Sequence, residues 1–170
     1  MSYRIREAYG YYAEHILAPL RAKKPIYDER NIPMEGVVSF RDWEVMAAIL
    51  AEDRGDASRS GSDLVNHEVK SAKEGGSFEY QYHRNHGLEK LDHDLQIEHL
   101  YVIYQEGCLD VDVYSLTAEQ FAEVGETWRP GLIENYRTAA RQRYRKNMPR
   151  RKVLTEGRVV MKIRGGELVE

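Results

Sequence analysis

The sequence is poor in cysteine and has no long apolar run. Cys108 is the one cysteine among 170 residues, which excludes a disulfide framework and a zinc site built from several thiolates. No apolar stretch approaches the roughly 18 residues of a membrane span, and residues 1–7 contain no apolar signal core. The sequence also lacks a P-loop and a dinucleotide-binding fingerprint. We therefore expect a cytoplasmic protein that uses no nucleotide cofactor.

Charge is distributed unevenly along the chain. The formal net charge is −3, from 25 Lys and Arg against 28 Asp and Glu. Between Arg129 and Arg164 twelve basic residues stand against two acidic ones, whereas residues 1–128 carry 13 basic and 24 acidic side chains. This asymmetry is typical of a protein that presents one basic face to a polyanion. A solvated basic helix would explain the charge pattern equally well.

The spacing of apolar residues predicts a mixed α/β domain, with a central mixed β-sheet flanked by helices. We predict a single domain over 1–170, with an N-terminal helical region at 1–38 and a core at 39–170. Ser39 and Thr117 each begin a pattern with the form of a helix capping box. The predicted helices cover 3–24, a segment from Ser39 onward, 85–99 and 131–146. The predicted strands cover roughly 63–72, 100–104 and 111–115, and a terminal strand or hairpin is predicted at 152–163. Residues 78–83 form an aromatic stretch, and residues 25–38 are predicted to form a loop.

Residues 59–71, RSGSDLVNHEVKS, combine two carboxylates, a lysine and turn-forming residues. In a strand Glu68 and Lys70 point to the same side, and a turn at residues 65–67 would bring Asp63 opposite Glu68. Magnesium is commonly held by one or two carboxylates, and a lysine near the metal can orient or deprotonate a water. Together with a magnesium ion, Asp63, Glu68 and Lys70 are therefore the parts that hydrolysis of a phosphodiester needs.

An acid-x-Lys pattern alone has low specificity. Glu68 is the one acidic residue followed by a lysine two positions later, but an exposed edge strand would produce the same pattern. The order of the surrounding elements adds weight, because a polar turn precedes the strand and a helix and two strands follow it. This is the order expected of the PD-(D/E)XK nuclease fold.

Within that fold, the sequence resembles the PvuII-type restriction endonucleases. That family carries Arg-x-Gly-x-Asp before a Glu-Leu-Lys-Ser strand, and this chain has Arg59-Ser-Gly-Ser-Asp63 and Glu68-Val-Lys70-Ser71. The likeness extends over about 40–157 as scattered matches in the same order. It implies a restriction-endonuclease-like fold, Mg²⁺ as cofactor and double-stranded DNA as substrate. It also implies a homodimer that cuts both strands of a short, palindromic site. The catalytic residues implied by the resemblance are Asp63, Glu68 and Lys70, with Asp63 and Glu68 as metal ligands.

Two features depart from that family. The spacing between Asp63 and Glu68 is shorter, so Asp56 is a rival candidate for the first metal-binding carboxylate. The family has a cluster of histidines where this chain has Gln81-Tyr82-His83, so the recognised base sequence cannot be transferred.

Candidate DNA contacts form two groups. Side chains after the predicted active-site strand are of types that can reach base edges: Gln81, Tyr82, His83, Arg84 and Asn85. Side chains of the basic segment suit phosphate contacts, and Asn147 among them suits a base contact: Arg141, Arg143, Arg145, Lys146, Asn147, Arg150, Arg151 and Lys152. Tyr82 could instead serve packing.

Several alternatives stay open. Glu44 is either an auxiliary acid or a solvated helix residue, and the tyrosine-rich N-terminal helix is either a dimer interface or part of the core. A repair nickase, a junction resolvase and a homing endonuclease share the expected chemistry. A non-catalytic DNA-binding protein is the candidate from a different class.

Overall fold

In a computed structural model of the protein, residues 3–57 and 62–169 are described. The helices are α1 Ile5–Tyr11, α2 Ala18–Glu29, α3 Phe40–Ala51, α4 Gly87–Asp94, α5 Ala118–Gly125, α6 Arg129–Thr138 and α7 Arg150–Glu156. The strands are β1 His67–Lys73, β2 Phe78–His83, β3 Glu98–Tyr104, β4 Val111–Leu116, β5 Arg143–Met148, β6 Arg158–Arg164 and β7 Glu167–Val169. A π-helical segment, Tyr12–Leu17, joins α1 to α2.

The strands form a five-stranded mixed sheet and a separate two-stranded sheet. The larger sheet has the order β1-β3-β4-β6-β7, in which β1 runs parallel to β3 and the remaining neighbours are antiparallel. Strands β2 and β5 pair with each other as an antiparallel ribbon. The predicted mixed α/β class is therefore confirmed, and β1, which carries Glu68 and Lys70, lies at an edge of the larger sheet.

Each face of the larger sheet has its own hydrophobic core, because successive residues of a strand point to opposite faces. On one face Val69, Leu100 and Val102 pack with the N-terminal helices and α3. On the other face Tyr101 and Ile103 pack with β2, α4, α5 and α6. Glu68 and Lys70 pair in register with His99 and Tyr101, so they share this second face, which the β2–β5 ribbon covers.

Both predicted capping boxes are present. Ser39 accepts a hydrogen bond from the Arg41 backbone N–H at 3.1 Å, and the Asp42 carboxylate accepts one from the Ser39 N–H at 3.2 Å. Thr117 and Gln120 make the equivalent pair at the start of α5. The predicted apolar stripe of α3 is buried and consists of Trp43, Met46, Ala47 and Leu50.

Five predicted boundaries are wrong. Strand β1 begins at His67 instead of at residue 63, because residues 64–67 form a turn. The N-terminal helix continues through Pro25 to Glu29, so part of the predicted loop is helical. The helix predicted to end at residue 99 ends at Asp94, because residues 98–104 join the sheet as β3. Residues 152–156 of the predicted terminal strand or hairpin belong to helix α7, which precedes strand β6.

The fifth difference is that the predicted basic helix 131–146 divides into α6 and β5. Ala139 adopts a left-handed conformation with φ of 49° and ends α6. Residues 143–148 then pair with β2, with Met148 buried opposite Phe78. Among the described residues, no helix is long and apolar enough to span a membrane.

A candidate active site at the edge of the sheet

Asp63, Glu68 and Lys70 converge at the start of β1. The Lys70 Nζ lies 2.5 Å from Glu68 Oε1 and 3.5 Å from Asp63 Oδ2. The Asp63 backbone N–H donates to Glu68 Oε2 at 3.0 Å, and the Val69 N–H donates to Asp63 Oδ2 at 3.2 Å. A tight turn makes this possible, with the Leu64 N–H donating to the His67 carbonyl at 3.0 Å. The two acids and the amine expected from the sequence are therefore neighbours.

The turn before β1 is anchored from its other side by Asp53. The Asp53 carboxylate lies 2.7 Å from His67 Nδ1 and accepts the Asn66 backbone N–H at 2.9 Å. Burial would raise the pKa of Asp53, but the bonds from His67 and the backbone lower it below its ordinary value. His67 points away from Glu68, since neighbouring strand residues alternate in direction. His67 and Asp53 thus hold the turn that delivers Asp63.

Lys90 and Asp94 of α4 complete the cluster, and neither residue was predicted from the sequence. Lys90 Nζ lies 3.2 Å from Glu68 Oε1 and 2.9 Å from Asp94 Oδ1. Asp94 is fully buried and accepts a hydrogen bond from the Tyr82 hydroxyl at 3.0 Å. In the sequence, Lys90 and Asp94 stand four residues apart on a predicted helix, which indicates an ion pair between them. Such pairs are common on solvated helices, so the spacing does not by itself point to an active site.

Attraction between Glu68 and Lys70 keeps both side chains charged. Burial alone would raise the pKa of Glu68, but Lys70 and Lys90 lower it to about 2. Burial alone would lower the pKa of Lys70, but Glu68 and Asp63 outweigh this effect and raise it. Burial raises the pKa of Asp63. The positive charge of Lys70 lowers this pKa and the negative charge of Glu68 raises it, so that overall the pKa of Asp63 lies above its ordinary value. Asp63 is therefore the less acidic of the two carboxylates.

The cluster opens onto a cavity of about 550 Å³. Its lining residues come from α3, β1, β2, α4 and the segments that precede the two strands: Phe40, Glu44, Asp63, Glu68, Val69, Lys70, Ser71, Ser77, Glu79, Gln81 and Lys90. Glu44 therefore faces the site, at a position where an auxiliary acid would have to lie. It pairs with Arg41 at 2.6 Å, and burial together with Asp63 raises its pKa.

The donor set fits magnesium better than a softer metal. Within residues 3–57 and 62–169, no three Asp, Glu, His or Cys side chains form a group that could hold a metal ion alone. Magnesium does not require such a group, because it is commonly bound by one or two carboxylates and keeps several waters. Asp63 and Glu68 provide this pair beside an open cavity. Zinc, which prefers nitrogen and sulfur ligands in a closed tetrahedron, fits poorly.

Asp56 lies close to Asp63 through the backbone. Its N–H donates to the Asp63 carbonyl at 3.3 Å, next to an isolated bridge between Gly55 and Leu64. Asp63, unlike Asp56, is a lining residue of the cavity and contacts Lys70. The geometry favours Asp63 as the first carboxylate. Arg59 and Gly61 of the family-like motif lie outside the described residues.

The outer face of the β2–β5 ribbon is polar and accessible. In register, Glu79 pairs with Asn147, Gln81 with Arg145 and His83 with Arg143. Gln81, Arg143, Arg145 and Asn147 are exposed and His83 is half-buried. The other candidates for DNA contact that are exposed or half-buried are Arg84, Asn85, Arg141, Lys146 and Arg151. Of these, Lys146 lies opposite Tyr80, at a position of the other face of the ribbon.

Two candidate DNA contacts are wrong because their side chains are buried. Tyr82 is 0% exposed and lies on the inner face of the ribbon, where it packs near Trp128 and hydrogen-bonds Asp94. Lys152 is 8% exposed and pairs with Glu123 at 2.6 Å and Glu156 at 2.5 Å. Neither side chain is available to DNA.

Arg150 has a structural contact of its own. It is half-buried, and its guanidinium lies 3.3 Å from the Gly76 carbonyl and 6.0 Å from the centre of the Phe78 ring.

No protein-family model matches the sequence, and a search of curated proteins returns no match.

Proposed function

We propose that the protein is a magnesium-dependent type II restriction endonuclease with a restriction-endonuclease-like fold. It would hydrolyse phosphodiester bonds in double-stranded DNA at a short, palindromic site. The observation that supports this most is the convergence of Asp63, Glu68 and Lys70 on one cavity at the edge of the sheet. Two carboxylates for a hard cation beside an ammonium group are the parts that phosphodiester hydrolysis requires.

The three residues take different parts in the reaction. Asp63 and Glu68 would hold Mg²⁺, which when bound lowers the pKa of a water and offsets charge that develops on the phosphoryl oxygens. Lys70 is kept protonated by its two acidic neighbours. A protonated lysine donates hydrogen bonds, so Lys70 would orient the attacking water and stabilise negative charge on the phosphate.

The ribbon supplies a surface of the right kind for reading DNA. The major groove of B-DNA admits a two-stranded β-ribbon, in which arginine can pair with guanine and glutamine or asparagine with adenine. Gln81, Arg145 and Asn147 lie on the outer face of the ribbon. Gln81 and Glu79 of this outer face also line the cavity. A duplex on the outer face would therefore lie beside the cavity.

The first experiment is cleavage of phage DNA with and without Mg²⁺. We expect discrete fragments that disappear with a chelator. A Lys70→Met variant should lose activity by on the order of a hundredfold or more, because an electrostatic group at the reacting phosphate is removed. Lys73→Met is the matched control on the same strand, since Lys73 instead pairs with Glu35 and Glu106.

The outcomes separate the candidates. Lys70→Met that cuts as well as wild type would exclude the assigned site. Cleavage restricted to nicked or four-way substrates would favour a repair nickase or a resolvase, and a single long recognition site would favour a homing endonuclease. DNA binding that is unaffected by chelator, without cleavage under any divalent metal, would favour a non-catalytic DNA-binding protein.

A further inference from the structure

Glu68 Oε1 is shared by two ammonium groups that come from different elements. Lys70 Nζ of β1 lies 2.5 Å from it, and Lys90 Nζ of α4 lies 3.2 Å from it. A carboxylate that binds a divalent cation cannot keep two further positive charges on the same oxygen at low cost, because the three cations repel one another. One of the two lysines is therefore expected to have another partner when the metal site is filled.

Lys90 is the lysine that already has a second partner. Its Nζ lies 2.9 Å from Asp94 Oδ1 and 3.1 Å from Asp94 Oδ2. Asp94 is itself held in place, because its side chain accepts the Tyr82 hydroxyl and its carbonyl accepts His99 Nε2–H at 2.7 Å. Lys90 could leave Glu68 and remain paired. Within the described part of the chain, the carboxylates that pair with Lys70 are those of the two proposed metal ligands, Asp63 and Glu68.

Lys90 also has access to the space where a phosphate would lie. Its side chain is 17% exposed and lines the cavity, while Asp94 behind it is 0% exposed. The Nζ therefore lies between a buried counter-ion and the open cavity. A lysine in such a position binds a phosphate oxygen as a fixed point charge.

The charge of the cluster supports the same role. Asp63, Glu68 and Asp94 with Lys70 and Lys90 have a formal charge of −1, and Glu44 is paired with Arg41. A divalent cation and one phosphodiester would bring that charge to zero. Without Lys90 the loaded site would keep one uncompensated negative charge beside the phosphate, which is unfavourable at low local dielectric.

From these contacts we propose that Lys90 is a second active-site lysine that binds the scissile phosphate, and that Asp94 is the positioning residue that holds it there. This inference rests on the proposed nuclease function and assigns a residue outside the Asp63, Glu68 and Lys70 set. Lys90 and Glu68 are in contact before substrate binds, and Lys90 exchanges Glu68 for a phosphate oxygen when DNA enters the cavity.

The test compares Lys90→Met, Lys90→Arg and the double variant Lys90→Met/Asp94→Asn, with Lys24→Met as the matched control on α2. Single-turnover cleavage is measured on a labelled duplex that contains a mapped site. We expect Lys90→Met and the double variant to be slower by on the order of a hundredfold, and Lys90→Arg to recover much of the rate because it keeps the charge. The double variant leaves no buried unpaired carboxylate at position 94, so its folded state is retained.

A second measurement distinguishes phosphate binding from support of the metal ligand. Mn²⁺ is titrated into the DNA-free proteins by calorimetry. We expect Lys90→Met to bind Mn²⁺ at least as tightly as wild type, since a positive charge beside Glu68 has been removed. Weaker Mn²⁺ binding would overturn the proposal, because Lys90 would then be needed to hold Glu68 in place.

The proposal and the nuclease function fail in different ways. If wild type cleaves DNA, Lys70→Met does not and Lys90→Met cleaves normally, the inference is overturned and the nuclease function stands. If wild type cleaves no DNA, the function is overturned and this inference with it. Loss of cleavage in Lys90→Met and in the double variant, with Mn²⁺ binding retained, supports the inference.

Discussion

His99 is a buried histidine whose two hydrogen bonds hold it in one neutral form. Its Nε2 faces the Asp94 carbonyl at 2.7 Å, and because a carbonyl can only accept, Nε2 carries the proton. Its Nδ1 lies 2.8 Å from the Tyr80 hydroxyl and therefore accepts from it. The ring stacks on Phe121 with centroids 3.8 Å apart. Burial lowers the pKa of His99 to about 3.

This histidine makes stability depend on pH. Because the folded pKa of His99 lies below the ordinary value of 6.5, the unfolded chain binds more protons between these two values. The stability contributed by neutral His99 is complete above pH 6.5 and is lost as the pH falls toward 3. Between pH 7 and pH 5, wild type should lose about 2 kcal/mol more unfolding free energy than His99→Gln in urea titrations. His15→Gln, which replaces an exposed histidine, is the control and should lose as much unfolding free energy as wild type. Equal losses of unfolding free energy in wild type and His99→Gln would contradict the role given to His99.

At the scale of elements, the β2–β5 ribbon has two faces with different chemistry. The inner face carries Phe78, Tyr80 and Met148, all nearly fully buried against the larger sheet. The outer face carries Gln81 and Arg145, both exposed. The period of two along each strand separates the faces, so a single ribbon can close the core and present a polar surface.

Arg145 and Met148 test the two faces on the same strand. Arg145→Ala should weaken DNA binding about tenfold, because an arginine that contacts a base edge or phosphate contributes on the order of 1–3 kcal/mol. Its unfolding free energy should change by less than about 0.5 kcal/mol. Met148→Ala should lose about 2–5 kcal/mol of stability, while the folded fraction binds DNA normally. Fluorescence anisotropy without Mg²⁺ and urea unfolding measure the two effects, and normal DNA binding by Arg145→Ala would place the DNA elsewhere.

At the scale of the whole molecule, the proposed site can cut one strand at a time. Cutting both strands of a palindromic site calls for two active sites related by a two-fold axis. The N-terminal tyrosines are engaged within the protomer: Tyr12 is buried and its hydroxyl donates to the Cys108 carbonyl at 2.6 Å, while Tyr9 donates to the Gly166 carbonyl at 3.1 Å. For Tyr12 the core alternative is therefore confirmed, and a homodimer remains our proposal.

A dimeric nuclease makes a specific prediction about mixed subunits. Wild type should sediment at twice the 19.8 kDa of one chain. Dimers that combine one wild-type and one Lys70→Met chain should nick supercoiled plasmid, since one of their two sites is inactive. Agarose gels should therefore show open circles accumulating with mixed dimers and linear DNA with wild type. Sedimentation as a single chain, with no accumulation of open circles, would argue against the dimer.

The sequence by itself determined the features that depend on local chemistry. The capping boxes at Ser39 and Thr117, the apolar stripe of α3 and the buried strand at 100–104 follow from side chains a few residues apart. The same holds for the gathering of Asp63, Glu68 and Lys70, because a short turn and the strand period place them within one segment of eight residues.

Only the tertiary structure decided the features that depend on distant partners. Residues 143–146 have a sequence compatible with a basic helix, but pairing with β2 turns them into a strand. Tyr82 and Lys152 have side chains suited to DNA contact, yet packing against Asp94 in one case and pairing with Glu123 in the other removes them from the surface. Lys90 reaches Glu68 because α4 packs against β2, which in turn contacts β1. The physical reason is that a polar side chain carries no local signal of its partner, and burial and charge pairing are settled only when distant elements meet.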